Sequence, residues 1–145
     1  MQVWNMQFFG VQTGTKLQLP LFNTLVPAGF PSPADDYMEG KIDLNQKLIQ
    51  HPDSTFFVKV TGNSMTEAGI FPDDIIIVDR QQQAKHGDII LACLDGEFTV
   101  KQLSKKAGKI SLIPANPNYQ PIQVEEDQVF QVWGVVTYVI HKPSI

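Results

Sequence analysis

Ser64 stands in Thr61-Gly62-Asn63-Ser64-Met65, directly after the apolar run 56–60, where a strand ends and a hydroxyl is expected to be exposed. A serine hydroxyl is a poor nucleophile until a neighbouring base takes its proton, so the chemistry turns on which base this chain can supply. The three histidines are poor choices. His51 closes a helix and faces its C-terminus, His86 sits in the turn His86-Gly87-Asp88, and His141 lies in the C-terminal tail. None brings an orienting carboxylate, which argues against a serine–histidine–aspartate triad. Lysine serves instead where burial strips its water, because desolvation disfavours the ammonium form and moves its pKa toward neutrality. Lys101 suits that role: in the strand Glu97-Phe98-Thr99-Val100-Lys101-Gln102-Leu103 it shares a face with Thr99 and Leu103, so its amine projects toward a partly apolar groove. On residue type alone the ordinary readings hold the advantage, a turn serine after Gly-Asn and a solvated strand lysine.

To act together these residues must be carried by separate elements that meet in space. β-branched and aromatic residues concentrate at 56–60, 75–79, 88–94, 98–103, 110–113 and 129–140, which predicts strands there and a mainly β body. Asp95-Gly96, between two such runs, is a two-residue hairpin signal because both central positions want positive φ. Turn chemistry at 69–74 and 114–118 falls at the spacing of a barrel or folded sheet. One short helix is expected from Asp43 as N-cap, through Leu44, Leu48 and Ile49 to His51, with Pro52 stopping it.

Upstream, residues 1–28 carry Trp4, Phe8, Phe9, Leu19, Leu21 and Phe22 but are broken by Gly10, Gly14 and Pro20, which excludes one long helix. They read as an extended N-terminal arm that packs on the body or on a partner chain, or as a plain edge strand. In Pro27-Ala28-Gly29-Phe30-Pro31-Ser32-Pro33 the prolines forbid helix and favour extended, accessible backbone, the form in which proteases accept substrates. This linker is a candidate cleavage site.

The chain has 145 residues, enough for one domain with an arm, and 43% hydrophobic against 18% charged residues argues for a packed globule. A net charge of -4 with lysines and arginines scattered except for the pair Lys105 and Lys106 gives no footprint for direct, specific DNA binding. Cys93 stands alone, which excludes an internal disulfide and suits a reducing compartment. Residues 1–10 lack the basic and apolar segments of a signal peptide, and no run approaches the ~20 apolar residues of a membrane span, so a soluble, cytoplasmic protein without membrane contact is expected.

Taken together, Gly62-Asn63-Ser64-Met65 resembles the G-x-S-M nucleophile motif of the LexA/UmuD family of self-cleaving serine–lysine peptidases. Glu97-Phe98-Thr99-Val100-Lys101, with its lysine 37 positions after Ser64, resembles that family's strand bearing the base. Gly69-Ile70, the stretch 73–79 and His86-Gly87-Asp88-Ile89 follow the same loop-and-strand order, so the resemblance spans about residues 20–140. Phe30-Pro31-Ser32-Pro33-Ala34 and Ile42-Asp43-Leu44-Asn45-Gln46 are closer to the UmuD branch than to the repressors, and the short arm leaves no room for a helix-turn-helix domain.

The resemblance implies a LexA/UmuD-like, signal-peptidase-like folded sheet or barrel. It divides the chain into an arm removed by self-cleavage (1–28), a linker (29–41) and a serine–lysine peptidase domain (42–145). Ser64 is then the nucleophile, Lys101 its general base, the backbone N–H groups of Ser64 and Met65 the oxyanion donors, and Ala28-Gly29 the bond cut. UmuD itself often has cysteine before that glycine, where this chain has alanine. The mechanism so implied uses no metal and no cofactor. Its implied partners are a second copy in a homodimer, the RecA filament on single-stranded DNA as activator, and a UmuC-type Y-family polymerase for error-prone synthesis across lesions. Two competing readings are a signal peptidase, disfavoured by the missing anchor, and a non-enzymatic dimeric module that regulates a polymerase on the same fold.

Overall fold

The most continuously apolar stretches of the sequence, Ile75-Ile76-Ile77-Val78 and Ile89-Ile90-Leu91-Ala92, become interior strands with both faces covered. The computed structural model describes residues 7–10, 18–22 and 38–144. Its eight-stranded sheet is built from β1 (Gln7–Gly10), β4 (Thr55–Lys59), β5 (Ile75–Asp79), β6 (Ile89–Leu94), β7 (Glu97–Lys106), β8 (Lys109–Ile113), β9 (Ile122–Gln123) and β10 (Phe130–Ile140). The spatial order is β1-β4-β5-β10-β6-β7-β8-β9, and every ladder is antiparallel.

Alternation along the interior strands divides the apolar residues between two cores. Val58, Val60, Met65, Ile70, Ile76, Val78, Leu91 and Val100 form one, while Ile90, Ala92, Leu103 and Leu112 form the other. Leu91 therefore points opposite to Ile90 and Ala92, which is why this run is apolar throughout instead of alternating with polar residues. The long β10 spans both neighbours by means of irregularities at Val132/Gly134 and Val136/Tyr138. Gly134 is required there, because a Cβ would lie 2.6 Å from Val78 Cγ1 and 2.9 Å from the Asp79 carbonyl oxygen.

The sheet belongs to a compact unit of Met1–Val11 with Asp53–Ile145. A second unit, Gln12–Pro52, holds a two-stranded ladder of β2 (Gln18–Phe22) with β3 (Met38–Asp43), followed by α1 (Leu44–Leu48). The expected mainly β architecture with one short α-helix is what the described residues adopt. Asp43 caps α1 by accepting from the Asn45 N–H at 2.9 Å. The helix nevertheless ends three residues before His51: Ile49 is extended, and Pro52 forces its predecessor out of helical geometry before starting a 3-10 turn of its own at Pro52–Ser54. His51 therefore does not lie in the last turn, where Lys47 is the basic residue.

The Asp95-Gly96 hairpin has φ values of 49° and 83°, as its sequence predicts. A second of the same kind, Ala107-Gly108 with φ 51° and 76°, joins β7 to β8. Within the arm, β1 is an edge strand on β4 and β2 pairs with β3. No helix of the described residues is long and apolar enough to cross a membrane.

Candidate functional site

Ser64 follows the last turn of chain after β4, where a web of backbone bonds holds the loop. The Val60 N–H donates to the Asp74 carbonyl at 2.8 Å, and the Asp73 N–H returns a bond to the Val60 carbonyl at 2.7 Å. The next residue, Met65, drives its side chain into the first core and its carbonyl accepts from Ile70 N–H at 3.2 Å. From the other side, the Ala115 N–H donates to the Ser64 carbonyl at 2.9 Å and the Glu67 N–H to the Ala115 carbonyl at 2.8 Å. Asn116 Nδ2 donates to the Asn63 carbonyl at 2.8 Å, and the Tyr119 hydroxyl donates to Asn63 Oδ1. The serine is thus pinned between an apolar anchor and a polar clasp from 115–119.

Lys101 lies on β7 directly opposite Ile90 of β6. Period two places Thr99, Lys101 and Leu103 on one face, and all three are buried, Lys101 at 2% exposure. Its amine therefore ends beside two hydroxyls: Nζ stands 2.9 Å from Ser64 Oγ and 2.5 Å from Thr99 Oγ1. Burial removes water from the ammonium form and lowers the Lys101 pKa from 10.5 to about 8. At neutral pH about one molecule in ten then carries a neutral amine, whose lone pair can accept the Ser64 proton. The N–H groups of Ser64 and Met65 donate to no acceptor among the described residues.

A cleft of about 150 Å³ borders the amine, walled by Leu94, Glu97, Thr99, Tyr119 and Ile122.

The structure brings Ser64, Met65 and Lys101 together; Ala28 and Gly29 lie outside the described residues. One expectation needs correcting: Ser64 is not exposed at a strand end but only 4% exposed, because the 115–119 clasp and the Lys101 amine cover it. Another concerns the histidines. His141 does have a carboxylate partner, its Nδ1 lying 2.5 Å from Oδ1 of buried Asp74, whose Oδ2 accepts from the Phe71 N–H. His86 Nδ1 accepts from the Lys105 N–H at 2.9 Å. Neither histidine bonds to Ser64.

Sequence reasoning did not single out the contacts of Thr99 with the amine, or the clasp of Asn63, Asn116 and Tyr119. For Thr99 the signal was present in its shared face with Lys101. For the clasp there was none, since Asn63 and Tyr119 are 56 positions apart.

Compared with known proteins, residues 20–137 match the family described as Peptidase S24-like. The protein SamA of Salmonella typhimurium is 50% identical over 123 residues, 85% of this chain and 85% of its own length. The protein ImpA of Escherichia coli is 43% identical over 124 residues, covering 85% and 83%. The LexA repressor of Dechloromonas aromatica is 39% identical over 132 residues, covering 90% of this chain and 65% of the repressor.

Proposed function

We propose, starting from the premise that the chain belongs to the Peptidase S24-like family, that it is a serine endopeptidase that cuts its own Ala28-Gly29 bond. The observation that carries this reading is the buried contact of 2.9 Å between Lys101 Nζ and Ser64 Oγ. Neutral Lys101 takes the Ser64 proton, and Ser64 Oγ attacks the Ala28 carbonyl carbon. The resulting oxyanion is met by the N–H groups of Ser64 and Met65, each such donor being worth roughly 3 kcal/mol of barrier. Protonated Lys101 then gives its proton to the Gly29 nitrogen as the C–N bond breaks, leaving residues 1–28 as an ester on Ser64. Water, deprotonated by Lys101, hydrolyses that ester and restores both side chains. Thr99 Oγ1 accepts from the amine and so helps aim its lone pair at the serine.

In this reading residues 1–28 are the arm, 29–41 the linker and 42–145 the peptidase domain. The small side chains of Ala28 and Gly29 suit a site in which the nucleophile is buried. The relatives and the UmuD-like features of the sequence support a place in the SOS response to DNA damage. There the RecA filament on single-stranded DNA stimulates the cut, and a homodimer of residues 29–145 joins a UmuC-type polymerase for translesion synthesis in the cytoplasm. The acidic charge of the chain fits an indirect relation to DNA.

The test is intact mass spectrometry of the purified chain and of Lys101→Ala, each incubated with RecA, nucleotide and single-stranded DNA. The reading expects only the unmodified chain to split, into residues 1–28 and 29–145. If neither splits, here or at alkaline pH, the protein is a binding module on a peptidase fold.

A further inference from the structure

Two strands on the N-terminal side of the proposed cut, β1 and β2, each pair with a strand on its far side. β1 pairs with β4 from Gln7↔Lys59 to Gly10↔Phe56, and β2 pairs with β3 from Gln18↔Asp43 to Phe22↔Met38. Hydrolysis of one peptide bond at 28/29 removes none of these backbone pairs. β1 also carries a side-chain anchor. The Phe8 ring lies 5.9 Å from Phe56, 5.2 Å from Phe98 and 6.2 Å from Trp133, closing an aromatic box. The box is organised without Phe8: Phe98 and Phe56 meet Trp133 edge-on, and Arg80 lies over the indole at 4.7 Å.

We propose that the outer edge of β4, with the box of Phe56, Phe98 and Trp133, is a docking site for this chain's own residues 7–10, which keep it filled as a separate peptide after the cut. The inference rests on the self-cleavage reading for its occasion, while the seat itself is seen in the uncut chain. Cleavage and release are then two events. Until the arm is displaced, β4 is shielded from strand addition by any other chain, the usual way an open sheet edge recruits a partner. Phe8 is the specific element, because ring stacking in a preformed box adds to what backbone pairing alone provides.

The experiment uses the full chain with the recognition sequence of a site-specific protease in place of residues 27–30, so that the cut does not depend on Ser64 or Lys101. After cutting, gel filtration with intact mass follows the arm, and hydrogen exchange follows the β4 amides that face β1. The arm is expected to co-elute with residues 31–145, with β4 protection as in the uncut chain. Phe8→Ala lowers that protection about tenfold, while Phe9→Ala, on the opposite face of the strand, leaves it. Exchange in β5 reports whether the sheet stays folded; if Phe8→Ala fails to fold, Phe8→Leu is read in the same way. Loss of β4 protection on cutting, or equal protection with and without the Phe8 ring, overturns the proposal. Failure of the unmodified chain to cleave itself would sink the proposed function and leave this result standing.

Discussion

Burial of Lys101 to 2% exposure sets its amine at the edge of being charged. The lowered pKa of about 8 against 10.5 fixes the sign of its effect on stability. Between those values the unfolded chain holds a proton that the folded chain has lost, so stability rises with pH through this window, and below about 8 the cost of burying the ammonium is felt in full. Lys101→Met removes that titration. Its stability relative to the parent is expected to be highest below pH 8 and to fall by up to about 3 kcal/mol as pH rises to 10.5, measured by urea unfolding across the range. A constant difference would mean the amine is solvated. Thr99→Val, which removes an acceptor from the amine but keeps the shape, is expected to slow self-cleavage about tenfold with the fold intact, judged by circular dichroism and by the rate of mass conversion. That Ser64 and Lys101 are the residues to pair was legible in the sequence from the motif around Ser64 and the strand around Lys101, and their side chains do meet. The burial of Ser64 was not, because it depends on Ala115, Asn116 and Tyr119, which only tertiary folding brings near.

Among the elements, sequence reasoning was most successful where β-branched and aromatic residues concentrate between clear turns. The predicted strand 75–79 coincides with β5, and β6, β8 and β10 each begin within one residue of expectation. It was weakest in the second unit, where β3 carries Gly40 and charged residues and owes its existence to pairing with β2, a tertiary effect that local preference does not encode. The Ala107-Gly108 turn was hidden because alanine is a poor resident of the left-handed region. It follows that Ala107→Gly should stabilise the protein by about 1 kcal/mol by relieving that conformation, seen as a raised unfolding midpoint. Gly134→Ala should do the opposite and cost more than about 2 kcal/mol, since its Cβ would meet the Asp79 backbone, which cannot yield as a side-chain tip would.

For the molecule as a whole, a net charge of -4 bears on how DNA damage would be sensed. Single-stranded DNA alone should bind weakly, with no acceleration of self-cleavage, while the RecA filament should accelerate it; fluorescence anisotropy and mass conversion check the two halves of that statement. Tight binding of naked DNA would require a different account of activation. The division of labour between the two units is consistent with this. The first unit carries Ser64 and Lys101, and the chain on either side of the candidate bond contributes β2 and β3 to the second.

The central claim is that Lys101 acts as the base for Ser64 in cutting Ala28-Gly29, and the first-order rate of that cut between pH 6 and 10, followed by intact mass, tests it most directly. The rate is expected to climb about tenfold per pH unit below 8 and then level off as the amine becomes neutral, with no cut in Ser64→Ala or Lys101→Ala. A flat profile from neutral to alkaline pH, or a cut that survives loss of Lys101, would contradict it.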